Sequence, residues 1–203
     1  MDVYVETNFV LELALLQEQQ ESCQKLLDLA EAGRINLILP AFSLTEPYET
    51  LIRREKNRRN LSQDLHKELS QLGRSLPYQQ QVHTYQEITE FLVNSGREEK
   101  QRFQIVVEKL LVVSKVIPLT VEILIAAMGY QSDLDFTPQD AIVYASVVEH
   151  LNKSGEQRCC FINRNSKDFD NPDIQEALDK YNCRILFKFD AGFGYIKNQI
   201  GIV

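Results

Sequence analysis

No stretch of this chain reaches the roughly 18 consecutive apolar residues that a membrane-spanning helix needs, so no membrane contact is expected. The opening segment Met1-Asp2-Val3-Tyr4-Val5 is acidic and strand-like, so no signal peptide is expected either. A Gly-rich phosphate loop, an internal repeat and a low-complexity tract are all missing. Histidine is scarce. His66, His83 and His150 fall within helical patterns without a ligand spacing such as HExxH, which marks them as surface or core residues rather than catalysts. The cysteines Cys23, Cys159, Cys160 and Cys183 lack zinc-ligand spacing. Adjacent Cys159 and Cys160 should point to opposite faces of a strand. They fit reduced, semi-buried thiols, and with no leader in view the expected location is cytoplasmic. Positive charge is in deficit: 22 Lys and Arg against 29 Asp and Glu, a net of −7. That argues mildly against non-specific nucleic-acid binding without excluding a nuclease.

What is present suits a globular protein. At 203 residues, 44% hydrophobic and 25% charged, the chain can bury a core, and one domain is the default. Alternation predicts a strand over Val3–Glu6, followed by a helix capped near Asn8 that carries Phe9, Val10, Leu13 and Leu16 on one side. A second helix over about Glu21–Ala32 should end at Gly33, and Ile35–Leu39 reads as a strand closed by Pro40. A further helix spans about Ser43 to Arg59, its start left open between Pro47 in a first turn and a Ser43/Glu46 capping box.

Residues 61–114 differ in character, being rich in Gln, Glu and Leu, with helical spacing at Leu61, Leu65, Leu69 and Leu72. Breaks at Pro77 and Gly96 predict three helices, about 61–73, 79–94 and 97–114, forming a helical insertion. Alternation of strand and helix then resumes. It comprises an extended piece at 116–119, a helix over 120–131, a helix opened by Thr137-Pro138, a buried strand over 158–163, a helix opened by Asn171-Pro172, a last strand over 184–187 and a short helical tail. Strands alternating with helices imply an α/β fold with a parallel sheet.

Acids recur at comparable junctions: Glu6 after the first strand, Glu46 in PAFSLTEPYETL, Asp140 in FTPQDAIVYASVV and Asp168 in CFINRNSKDF. Carboxylates converging on one point repel each other unless a hard cation lies between them. Each also has a plain structural role. Glu46 suits a capping box, Asp140 the third position of a Thr-Pro-capped helix, and Asp168 a turn. Glu6 is hardest to explain so, because an acid ending a buried strand is normally paired or ligated. Asp135 either supplements a metal site or, the reading preferred, is a solvated loop acid. The basic run Arg53, Arg54, Lys56, Arg58 and Arg59 is either a solvated helix end or a phosphate-contacting patch. Arg164 and Lys167, near Asp168, are better placed to touch a scissile phosphate.

The set VYVETNF, PAFSLTE, TPQDAIVYAS and FINRNSKDF resembles the PIN-domain superfamily of metal-dependent ribonucleases, which includes the toxin nucleases of bacterial toxin–antitoxin pairs. The resemblance covers residues 1–52 and about 116–190, and leaves out the helical stretch between. It implies a three-layer α/β/α fold with a central parallel sheet and a cluster of acids at the strand C-termini. In such proteins the acids bind Mg²⁺ or Mn²⁺ and activate water for RNA cleavage. Carried over, Glu6 stands where the family usually has Asp, and Glu46, Asp140 and Asp168 match its other acids. Asn8 and Asn165 match its polar positions, and Asn163 replaces a common Thr. The longer Glu6 reaches about 1.5 Å further than Asp would. Overall, the chain is expected to be one PIN-like domain with a helical insertion, acting as a Mg²⁺- or Mn²⁺-dependent RNA endonuclease with Glu6, Glu46, Asp140 and Asp168 as ligands. The resemblance also admits a toxin role, an antitoxin-like protein partner and a homodimer. The alternative is a non-catalytic PIN-like binding module with a degenerate site; a structure-specific DNA nuclease of related fold ranks third.

Overall fold

The computed structural model describes residues 1–155 and 158–201, with only the backbone of His83, Thr84 and Gln86. The expectations for the His83 side chain and for the last two residues of the tail lie outside the described residues. The elements run β1 (Asp2–Val5), α1 (Thr7–Leu15), α2 (Gln20–Glu31), β2 (Asn36–Pro40), α3 (Ala41–Leu72), α4 (Gln79–Val113), β3 (Lys115–Ile117), α5 (Val121–Asp133), α6 (Pro138–Ser154), β4 (Cys159–Ile162), α7 (Ser166–Phe169), α8 (Pro172–Asp179), β5 (Cys183–Leu186) and α9 (Phe189–Ile200).

The strands form one parallel sheet in the order β3-β2-β1-β4-β5. Strands buried on both faces cannot show simple polar alternation, and β1 and β4 are buried at every residue. Their side chains instead divide between two cores. Val3, Val5, Cys160 and Ile162 face α1, α2, α4 and α9 through Phe9, Leu26, Phe103 and Ile196. Tyr4, Cys159 and Phe161 face α5, α6 and α8 through Ile123, Tyr144 and Leu178. The fold is therefore the three-layer α/β/α arrangement, and Cys159 and Cys160 do lie on opposite faces.

The helical stretch is built from fewer and longer pieces than the sequence predicts. α3 runs 32 residues through position 59 to Leu72, and α4 runs 35 residues without a break at Gly96. Pro47 is buried inside α3, where it costs one backbone hydrogen bond but is tolerated. Gly96 faces α3, where an added Cβ would stand 3.6 Å from Glu55 Cγ, ordinary contact distance. Gly96 thus marks a helix crossing rather than a helix end. Only Pro77 breaks the pattern, within the turn joining the two helices.

The strand order places β1 beside β4, with successive connections leading away in opposite directions. The chain leaves β1 toward one face, into α1, and leaves β4 toward the other, into α7 and α8. A crevice opens at such a switch point, beyond the strand C-termini.

Candidate active site

β1 delivers Glu6 to this crevice. The backbone leaves the strand there with φ −130° and ψ −169°, and Glu6 itself caps α1, its Oε2 accepting the Asn8 backbone N–H at 2.8 Å. The predicted cap at Asn8 and strand end at Glu6 are thus corrected: the strand stops at Val5, and the acid serves as the cap. Glu6 Oε1 faces the Arg164 backbone N–H at 3.4 Å, which ties the ends of β1 and β4 together. Glu6 is only 5% exposed, and burial pushes its carboxyl up to about 7 against partial relief from the Asn8 and Arg164 N–H groups. Glu46 adds to that rise.

Glu46 comes from α3, which starts directly after β2. The capping box with Ser43 does not form, because α3 begins at Ala41 and the buried Ser43 hydroxyl finds no partner among the described residues. The Glu46 carboxylate instead accepts a hydrogen bond from the Thr7 hydroxyl. Burial raises the Glu46 carboxyl, Thr7 opposes, and the nearby charges of Asp140 and Glu49 raise it further.

Asp140 sits in the first turn of α6 as the sequence predicts, with Thr137 as cap and Pro138 opening the helix. Thr137 Oγ1 accepts the Asp140 N–H at 3.2 Å and donates to Asp140 Oδ2 at 2.6 Å. Asn165 bridges two acids, its Nδ2 donating to Asp140 Oδ1 at 3.1 Å and to Asp168 Oδ2 at 2.7 Å. Asn163, 2% exposed, shapes that loop by accepting the Asn165 N–H at 2.8 Å.

Glu6, Glu46 and Asp140 line one cleft of about 520 Å³ together with Thr7, Asn8, Thr50, Gln139, Asn163, Arg164 and Asn165. Asp168 turns toward a neighbouring depression of about 400 Å³ shared with Asp135 and Lys167. Sequence reasoning missed Thr7 and Glu12. Thr7 carries a signal within the ETN triplet. Glu12 carries none, since a fully buried acid in mid-helix looks like a solvated residue until its partner is placed.

That partner is Arg164. Its guanidinium pairs with buried Glu12 and reaches Glu18 at 3.5 Å. Arg58 pairs with Glu99 at 2.8 Å and Arg59 with Glu55 at 2.7 Å. Arg53, Arg54, Lys56 and Lys167 form no ion pair among the described residues. Arg53 lines a depression adjoining the acidic cleft.

The donor set is all oxygen and suits a hard divalent cation in its chemistry. Among the described residues, however, no group of three or more Asp, Glu, His or Cys side chains stands close enough to hold an ion. Hydrogen bonds from Thr7, Thr137 and Asn165 hold the carboxylates in separate arrangements.

A family model described as PIN domain matches residues 3–169, running through the helical stretch as well as the sheet. The chain belongs to the PIN domain family. Among solved structures, the chain is similar to VapBC2 from Rickettsia felis, crystallised bound to a DNA fragment from its promoter, with a TM-score of 0.45 and 11% identity over 92% of this chain and 98% of that one. No curated protein matches the chain. The family match spans Glu6, Glu46, Asp140 and Asp168, and divalent-metal dependence is general among PIN domains. No described helix is long and apolar enough to cross a membrane.

Proposed function

We propose that this PIN domain is a Mg²⁺- or Mn²⁺-dependent RNA endonuclease. The observation that carries the reading is the meeting of Glu6, Glu46 and Asp140, from three separate elements, in one polar cleft at the switch point. These residues would hold the cation, exchanging hydrogen bonds from Thr7 and Asn165 for it, with Asp168 joined through Asn165. When bound, such a cation lowers the pKa of water and neutralises charge developing on phosphate oxygens. Glu6 holds a proton near neutral pH that a cation would displace, restoring the carboxylate. Asn165 orients Asp140 and Asp168, and Asn8 fixes Glu6. Gln139 and Thr50 offer hydrogen bonds to a strand lying in the cleft.

The second reading is a PIN-like module without catalysis. It is favoured by the capping role of Glu6 and by the absence of a preassembled ion site among the described residues. An antitoxin-like partner and a homodimer go with the first reading. Either would need an apolar surface, and Val121, Leu124, Ile125 and Met128 expose one along α5.

The deciding experiment is a cleavage assay on single-stranded RNA and DNA with Mg²⁺, Mn²⁺ or EDTA, using the unmutated protein, Asp140→Asn and Glu6→Gln. The nuclease reading expects RNA cleavage that EDTA and both substitutions abolish. No cleavage under any metal, with intact folding, would leave the non-catalytic module.

A further inference from the structure

We propose that the depression beside the acidic cleft is a nucleotide subsite. It takes a short stretch of a single RNA strand next to the scissile bond, with one base against Phe42 and a following phosphate on Arg53, since the two residues lie about 16 Å apart along α3. The proposal rests on the nuclease reading above.

The depression measures about 440 Å³, within the roughly 300–1,000 Å³ range of small-molecule pockets. It shares Glu46, Thr50 and Gln139 with the acidic cleft, so the two are one continuous groove. One face of α3 builds its wall. Phe42, Thr45, Glu49 and Arg53 follow one another at helical spacing, so the aromatic ring and the cation lie along the same line.

Phe42 is half-buried. One side packs on the second core, and the rest lines the groove. An aromatic side chain anchored in this way and open to a groove is a stacking platform, since every base has a π-face. The cation at the other end is selected by what it lacks. Arg58, Arg59 and Arg164 are committed to carboxylates. Exposed Arg53 makes no ion pair among the described residues, and of the basic run it alone lines the groove. Glu46 and Glu49 repel a phosphate from the middle of the depression, which places it at the Arg53 end. Thr45, Thr50 and Gln139 leave hydrogen-bonding groups for the base edge or ribose. A neutral base in the acid-lined part and a phosphate at the cation match this distribution of charge.

Fluorescence anisotropy with labelled ten-nucleotide oligo-A and oligo-U tests the subsite in an Asp140→Asn background, which prevents turnover. Adding Arg53→Ala should weaken binding and flatten the salt dependence of log affinity by about 0.7, one phosphate contact on a single strand. Arg53→Lys should restore the slope. Phe42→Leu keeps an apolar side chain on the core. It should weaken oligo-A by roughly tenfold and oligo-U by less, because purines stack more strongly. Phe42→Tyr should retain binding. With Asp140 intact, Arg53→Ala should raise KM and leave kcat nearly unchanged.

Cleavage that persists while neither binding nor KM responds to Arg53 or Phe42 would overturn the subsite and leave the nuclease reading standing. Binding that responds as described, without cleavage under any metal, would support the subsite within a non-catalytic module. Failure to bind either oligonucleotide would overturn the subsite.

Discussion

Glu6 does two jobs with one carboxylate: it caps α1 and it lines the cleft. Its folded pKa of about 7 lies above the ordinary 4.5, so between those values the folded state holds a proton the unfolded state has released. Stability without metal should therefore fall as pH rises from about 4.5 to 7, by roughly 3 kcal/mol, and stay low above 7. Glu6→Gln keeps an oxygen for the Asn8 N–H and removes the charge. In EDTA it should flatten that slope and melt higher than the unmutated protein at pH 8, as differential scanning fluorimetry would show. Millimolar Mn²⁺ should raise the melting temperature of the unmutated protein at pH 8, and much less at pH 5.5, where the proton competes. A Mn²⁺ shift independent of pH would remove Glu6 from the ligand set. Arg164 makes the opposite case. Its guanidinium neutralises Glu12, which is fully buried, so Arg164→Ala should destabilise by about 3 kcal/mol in chemical denaturation. A residue serving phosphate alone would cost almost nothing. Glu6 and Asp140 stood out as candidates because they sit at element junctions, Glu6 capping α1 and Asp140 in the first turn of α6, whereas Glu46 lies in the second turn of α3. The Arg164–Glu12 pair did not stand out, because 152 positions separate its members and nothing local hints at the meeting.

At the scale of elements, the two caps followed by proline were the most legible feature and the long helices the least, while the caps expected at Asn8 and Ser43 did not form. Thr137-Pro138 and Asn171-Pro172 carry their own stereochemistry, and both helices start where the sequence places them. Thr137→Ala should cost about 1 kcal/mol and, by freeing Asp140, lower any cleavage more than stability alone explains. α3 and α4 defeated local reasoning because their continuity comes from packing on each other. The Arg58–Glu99 pair and the close crossing at Gly96 hold together residues that composition would break apart. α9 shows the same dependence on a neighbour. A Cβ at Gly192 would overlap the side chain of Ile162, the last residue of β4 before the Asn163–Asn165 loop. Gly192→Ala should cost about 1–3 kcal/mol by overpacking, visible as a lower denaturation midpoint. Because the overlap lies just below Asn163, that variant should also disturb the loop holding Asp140 and Asp168.

For the whole molecule, strand alternation was enough to show a parallel sheet, but not that β4 lies beside β1. That adjacency pairs residues 2–5 with residues 159–162, a contact no local pattern encodes, and the switch point depends on it. The pairing also sets an order in time. β1, α3 and the acids they carry leave the ribosome early, yet the cleft stays open on one side until β4 docks against β1 and brings Asn163 and Asn165 into place. Closing so long a loop is entropically slow, so the site should be the last part of the sheet to form. On dilution from denaturant, helical circular dichroism should recover before Mn²⁺ protection does. On the proposed nuclease reading, a growing chain would carry Glu6 and Glu46 through most of its synthesis without the completed site needed to cut the messenger it is translated from.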